Sequence, residues 1–347
     1  MKMKKWLFLT ILAVSFCGSA NAMTERIWWN GSAWTPANHV ATVNYKAMAR
    51  DYRAFNPVLA AFGAREDGSA LVNIVSDNGG VSWHEMLVSY NNYKAITGAP
   101  FRSAADPNLY TCVFAIRADS NDVQWVRYVG ATQTWLVTDV NVVGVGVIDQ
   151  YKALAFDSAS NVGGGSYTFY GARTDGAGVD QIYSSDFGST WNKNSLVSTT
   201  NYKALCSMMH NGFAGAKADG TGLWREWNAS GWNTQQISTQ DFSALTEEIV
   251  NTGPAYSLFG ARADGSGLKR VLTADNGTTW NTYDIWPEHY KSLAPLGHLT
   301  ANMVIGSYNC TQSLYDLDNN CKVDFADFAA FAAEWLDCGK ELPGSCN

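Results

Sequence analysis

Asn44-Tyr45-Lys46-Ala47-Met48 returns as Asn92-Tyr93-Lys94-Ala95-Ile96, Gln150-Tyr151-Lys152-Ala153-Leu154 and Asn201-Tyr202-Lys203-Ala204-Leu205. Asp241-Phe242-Ser243-Ala244-Leu245 and His289-Tyr290-Lys291-Ser292-Leu293 complete a series of six. The steps from aromatic to aromatic are 48, 58, 51, 40 and 48 residues. A period of this size marks a repeat architecture, in which each unit is one supersecondary element that cannot bury its apolar face alone.

Two further elements ride on the same period. Phe62-Gly63-Ala64-Arg65-Glu66-Asp67-Gly68 has copies around Arg117, Arg173, Lys217 and Arg262. Asp-Gly between apolar runs is a hairpin signal, because both residues tolerate positive φ. Ser76-Asp77-Asn78-Gly79-Gly80-Val81-Ser82-Trp83 recurs as Ser184-Ser185-Asp186-Phe187-Gly188-Ser189-Thr190-Trp191 and Thr273-Ala274-Asp275-Asn276-Gly277-Thr278-Thr279-Trp280, with degraded copies ending at Trp135 and Trp232. Each unit therefore reads as four short strands, and radial stacking of such units gives a β-propeller.

The sixth copy supplies only two strands, near Tyr290–Ala294 and Asn302–Tyr308. Arg26-Ile27-Trp28-Trp29-Asn30-Gly31-Ser32-Ala33-Trp34 has the form of the missing strand three, turn and strand four. The expectation is an all-β, six-bladed propeller over residues 23–308, closed by pairing N- and C-terminal strands in one blade, which removes the exposed edges.

The third element resembles the Asp-box repeat (Ser/Thr-x-Asp-x-Gly-x-Thr-Trp) of sialidase-like propellers. That resemblance implies a propeller with these turns on the side away from the active site. It also implies an arginine triad, a Tyr nucleophile paired with Glu, and a mobile Asp acid. Arg26-Ile27-Trp28 stands roughly where that family has Arg-Ile-Pro, but lacks the Pro. Arg65, Arg117, Arg173 and Arg262 occupy one phase of the repeat, which fits architecture better than a unique catalytic site. No nucleophile–base pair stands out, so catalytic residues stay unassigned. The non-repeating Glu85, Glu247 and Glu248 read as solvated loop residues.

A binding surface is the better expectation. Strand one lines the channel of a propeller, so Lys46, Lys94, Lys152, Lys203 and Lys291 are expected to ring one mouth. Tyr45, Tyr93, Tyr151, Tyr202 and Tyr290 are expected beside them. A cationic, aromatic concavity suits an anionic glycan or a carboxylate. The competing expectation makes the lysines and arginines inter-blade struts, paired with Asp.

The chain's ends set the expected compartment. A basic start, an apolar run from Trp6 to Phe16 and Ala20-Asn21-Ala22 form a secretory signal peptide over residues 1–22. No other stretch is long and apolar enough for a membrane span. Without that segment the chain has 21 basic and 31 acidic residues, which argues against a nucleic-acid partner. Cys310, Cys321, Cys338 and Cys346 cluster in the last 38 residues, the pattern of a disulfide-stapled module in a secreted protein. Cys112 and Cys206 fall in different blades and are expected to be buried free thiols.

Within residues 309–347, Asp316, Asp318, Asn320, Asp324 and Asp327 hold oxygens at loop positions 1, 3, 5, 9 and 12. The Lys322 carbonyl can serve position 7, so Ca²⁺ is the expected guest. This segment resembles one half of a type I dockerin, which implies a cohesin-like or cell-surface partner. It has one loop instead of two, and Cys321 instead of Gly at position 6. The expected whole is a secreted or cell-surface, monomeric, non-catalytic recognition propeller that binds carbohydrate or another extracellular ligand. The alternative is a sialidase-like glycoside hydrolase or polysaccharide lyase.

Overall fold

Every Tyr-Lys-Ala copy starts the innermost strand of a four-stranded antiparallel sheet. The computed structural model describes residues 24–30, 32–41, 43–52, 58–101, 110–129, 132–148, 150–160, 164–208, 211–248, 255–296 and 303–307, without the side chains of residues 37–39 and 147. In blade 1 the strands are Tyr45–Arg50, Leu59–Arg65, Leu71–Ser76 and His84–Ser89. Blades 2 to 5 begin with Tyr93–Phe101, Tyr151–Phe156, Tyr202–Met208 and Phe242–Glu248. Blade 6 is Ser292–Pro295, Met303–Ser307, Thr24–Trp29 and Trp34–Ala41, in that order outward. The chain is a six-bladed β-propeller occupying Met23–Tyr308.

The ring closes where Thr24 pairs with Ser307 and Trp28 with Met303. Ser307 Oγ accepts from the Tyr45 amide at 2.8 Å, and Ser292 Oγ donates to the Tyr45 carbonyl at 2.7 Å. Both bonds tie the closing blade to blade 1.

One packing rule generates the blades. The ring at the head of strand one lies flat on the glycine of Gly-Ala-Arg in strand two. A Cβ at Gly63, Gly171, Gly215, Gly260 or Gly306 would sit 2.3–2.5 Å from the ring of Tyr45, Tyr151, Tyr202, Phe242 or Tyr290. These glycines are required by close approach, since their backbone is ordinary strand.

The turns after strand three differ between odd and even blades. In blade 3, Ser184 Oγ donates to Asp186 Oδ1 at 2.8 Å and accepts from the Gly188 amide at 2.9 Å; the Thr190 amide reaches Asp186 Oδ1 at 2.9 Å. Thr273, Asp275, Gly277 and Thr279 repeat this in blade 5. Ser76, Asn78, Gly80 and Ser82 repeat it in blade 1 with an amide in place of the carboxylate. Gly80, Gly188 and Gly277 hold φ of 91°, 78° and 88°, where side chains are disfavoured. The preceding even blade covers each of these glycines. Arg26 lies over Gly80, Trp125 over Gly188 and Arg225 over Gly277.

Candidate functional site

The strand-one lysine is ejected from the ladder in a repeated way. Tyr45 pairs with Arg65 and Ala47 with Ala64, which leaves Lys46 as the extra residue of a bulge. The same shift brackets Lys94, Lys152, Lys203 and, in blade 5, Ser243. A bulge re-aims its side chain. Lys46, Lys94, Lys152, Lys203 and Lys291 all line one cavity of about 120 Å³ at the channel mouth, with Ser243 completing the circle.

Their partners are unequal. Lys203 Nζ pairs with Asp241 at 2.6 Å and Lys291 Nζ with Glu66 at 2.7 Å, each across a blade boundary. Lys46 Nζ donates to Asn92 Oδ1 at 2.5 Å and Lys152 Nζ to Asn201 Oδ1 at 2.6 Å, again in the next blade. Lys94 donates to Asn121 of its own blade. An amide accepts a proton but cancels no charge. Among the described residues no carboxylate lies within ion-pair distance of Lys46, Lys94 or Lys152, although Asp67 and Asp175 act on Lys46 and Lys152 from further off, so blades 1 to 3 form a cationic arc. Burial lowers the pKa of Lys94 and Lys152 below the ordinary lysine value.

The tyrosines lie elsewhere. Tyr45, Tyr93, Tyr151, Tyr202 and Tyr290 are all buried. They are held inside the blades by the glycine contacts or, for Tyr93, by Ala115 in the glycine's position. The Tyr45 hydroxyl donates to Glu85, Tyr93 to Gln124 at 2.7 Å, Tyr151 to Asp180 at 2.8 Å and Tyr202 to Glu226. They are blade pillars and do not face the mouth.

The arginines of the second element differ from inter-blade struts. Arg117, Arg173 and Arg262 pair with Asp119, Asp175 and Asp264 two residues on, within their own turns. Arg65 instead pairs with Glu85. Glu85, Glu247 and Glu248 are therefore not loop residues. Glu85 stands on a strand, Glu247 faces the channel, and the buried Glu248 pairs with Arg270 at 2.6 Å. Sequence reasoning missed them because their partners lie on other strands or in another blade, which leaves no local signal.

Below the lysines, Met48, Ile96, Leu154, Leu205, Leu245 and Leu293 face the channel. All are buried, and together they plug it. Beyond the plug a chamber of about 40 Å³ contains Arg50, Ser207 and Glu247. Arg50 reaches Glu247 at 3.4 Å from blade 1 to blade 5, and the Tyr52 hydroxyl donates to Glu247 at 3.1 Å. Burial raises the Tyr52 phenol far above its ordinary value. The signal for the plug was present in the sequence, as the aliphatic residue two places after each lysine.

Cys112 and Cys206 are free and buried, and burial lifts the Cys112 thiol to about 12. Among the described residues no three His, Cys, Asp or Glu side chains could hold a metal. Asp316, Asp318, Asn320, Lys322, Asp324, Asp327 and the four tail cysteines lie outside the described residues, as does segment 1–22. No described helix is long and apolar enough to cross a membrane.

No family model matches the chain, and no curated protein matches it. The similar solved structures include a protein of unknown function from Dyadobacter fermentans, 10% identical over 83% of this chain and 99% of that one, with a TM-score of 0.53. YCF48 bound to D1 peptide is 13% identical over 82% and 84%, with a TM-score of 0.39. The RRP9 WD40 repeats are 8% identical over 82% and 98%, with a TM-score of 0.44. At such identities the likeness extends to the fold alone.

Proposed function

We propose that this protein is a secreted, non-catalytic recognition propeller whose lysine mouth binds an acidic glycan. The observation that carries this reading is the arc of Lys46, Lys94 and Lys152, three cations at one concave mouth whose hydrogen-bond partners among the described residues are amides, with Asp67 and Asp175 acting on Lys46 and Lys152 only from beyond ion-pair distance. A concentrated positive potential above an apolar floor attracts carboxylate or sulfate groups. The amide partners hold the ammonium groups in place without neutralising them. In the same reading the odd-blade turns are Asp boxes, which lie at the end of the blades opposite the lysines. Residues 1–22 direct export, and residues 309–347 carry a Ca²⁺ loop for attachment to a cohesin-like or surface partner.

The hydrolase alternative has one observation in its favour, the Tyr52–Glu247–Arg50 cluster. Its chamber of about 40 Å³ has room for a water but not for a sugar ring. Its phenol is held protonated, and Arg117, Arg173 and Arg262 are consumed by their own turns. Recognition is therefore preferred.

Calorimetric titration with oligogalacturonate and a heparin hexasaccharide tests the proposal. Binding should weaken with added salt, and Lys94→Met with Lys152→Met should reduce it about tenfold or more at unchanged fold. Absence of binding to either acidic probe, or binding indifferent to the double substitution, would refute the lysine mouth. Release of reducing ends from either probe would favour the hydrolase.

A further inference from the structure

The tryptophan that ends each odd-blade turn has three different surroundings, and only Trp191 is buried. Trp83 of blade 1 packs beside Val40, Ala41 and Val43 from the outer strand and linker of blade 6. Trp191 of blade 3 is buried with Val140, Val142 and Ile148. There the longest repeat step folds into a small ribbon, Asn141–Val142 with Gly146–Val147, which docks on Trp191 through a backbone bridge from Val142. In blade 5 the equivalent run from blade 4 is Ile237-Ser238-Thr239-Gln240. Ser238 stands in the register of Ala41, and Gln240 in that of Val43.

Trp280, like Trp83, is only partly buried; it packs against the cluster that contains Ile237 and stands beside a groove of about 480 Å³ between blades 4 and 5, where Ser238 and Gln240 replace Ala41 and Val43. Gln235, Gln236, Ser238, Gln240, Trp280 and Thr282 line it, and among the described residues no charged side chain does. The indole is held in place by Nε1 donating to the Gly277 carbonyl at 3.1 Å. Gln236 Nε2 donates to the Thr221 carbonyl at 3.0 Å, which fixes its amide. Gln240 Oε1 is enclosed at the groove wall and accepts no hydrogen bond among the described residues. The volume falls in the range of ligand pockets. A fixed indole offers an apolar platform, and side-chain amides and hydroxyls offer paired donors and acceptors.

We infer that the blade 4–blade 5 groove is a second binding site, for a neutral oligosaccharide. The C–H face of a pyranose covers the exposed part of the indole, and the sugar hydroxyls engage Gln235, Gln236 and Thr282. The absence of lining charge separates this ligand class from the acidic one assigned to the channel mouth. No residue is shared with that mouth, so either site can fail alone.

Calorimetry of the full chain with cellohexaose, xylohexaose, mannohexaose and laminarihexaose tests the inference. At least one should bind, with affinity insensitive to salt. Gln235→Ala with Gln236→Ala, at surface positions outside the core, should lower that affinity about tenfold with an unchanged melting temperature. Trp280→Phe should lower it by a smaller factor and keeps the packing if the alanine pair proves unstable. Lys94→Met with Lys152→Met should leave it unchanged. Failure of all four sugars to bind at millimolar concentration overturns the inference. So does binding that survives both groove variants, or binding abolished by the lysine pair.

Discussion

Trp34, at the head of the outermost strand of blade 6, meets Phe259 of blade 5 edge-on, with ring centroids 5.5 Å apart and planes at 88°. Trp135 makes the same contact with Phe62 at 5.6 Å and 85°, and Trp232 with Tyr170 at 5.8 Å and 88°. In each case an even blade's strand-four indole packs on the strand-two ring of the odd blade before it. The odd-blade turns are capped in the reverse sense by Arg26, Trp125 and Arg225. The propeller is thus three pairs of blades with two alternating kinds of seam.

The first prediction concerns the seam. Trp232→Ala removes a large ring from between blades 3 and 4 and should cost about 3–5 kcal/mol. Trp232→Phe keeps an edge-to-face partner for Tyr170 and should cost well under half of that. Chemical denaturation of both variants measures the difference, and equal losses would refute the aromatic seam.

The second concerns the glycine under each pillar. Gly215→Ala places a methyl 2.5 Å from Tyr202 Cδ1, which the buried ring cannot evade. The expected loss is about 1–3 kcal/mol. Ala115→Gly in blade 2, where Tyr93 already tolerates a methyl, should cost less than 1.5 kcal/mol, chiefly through backbone entropy. Equal losses at the two sites would refute the pillar packing.

The third concerns acid. Hydrogen bonds from Arg173, then from the Ala177 amide, hold Asp175 at about 2, and those from the Thr279 hydroxyl and amide hold Asp275 at about 2. A carboxylate depressed in the folded state lends stability that is complete above its ordinary value. That stability is lost as pH falls through the folded value. Melting temperature should therefore drop between about pH 4 and 2, and Asp275→Asn should flatten part of that drop. Asp157 and Glu226, raised by burial, act in the opposite sense. Their contribution weakens as pH rises above the ordinary carboxylate value.

The fourth concerns the tail. If residues 309–347 carry the proposed Ca²⁺ loop, Asp316→Ala should weaken Ca²⁺ binding strongly by removing the charge at loop position 1. The propeller's thermal transition should not move when chelator is added. A shift in the main transition equal to that of the tail would contradict a separate calcium module.

The blade count and the split sixth blade were legible because Tyr-Lys-Ala and Ala-Arg-x-Asp-Gly recur in fixed phase. The lysine mouth was legible for the same reason. The tyrosines were misplaced because successive strand residues point to opposite faces: the ring turns into the blade while the lysine, re-aimed by its bulge, lines the mouth. Glu85 and Glu247 were misread because their partners, Arg65 with Tyr45 and Arg50 with Tyr52, lie on other strands or in another blade. Such pairs carry no local signature. The Trp280 groove was hidden for a similar reason: its walls come from two different blades.

The pairing of Thr24 with Ser307 imposes an order on synthesis. The earliest strand of the ring to be made has no ladder on its inner edge until the last strand appears. Blades 1 to 5 can each assemble from contiguous chain as it emerges, but blade 6 must wait. Until then Trp28 and Trp29 stand on an unguarded strand edge, open to pairing with a neighbouring chain. Completion is therefore a single late event, and a chain truncated before Met303 would lack the strand that pairs with Thr24–Trp29 and stay an open, association-prone arc.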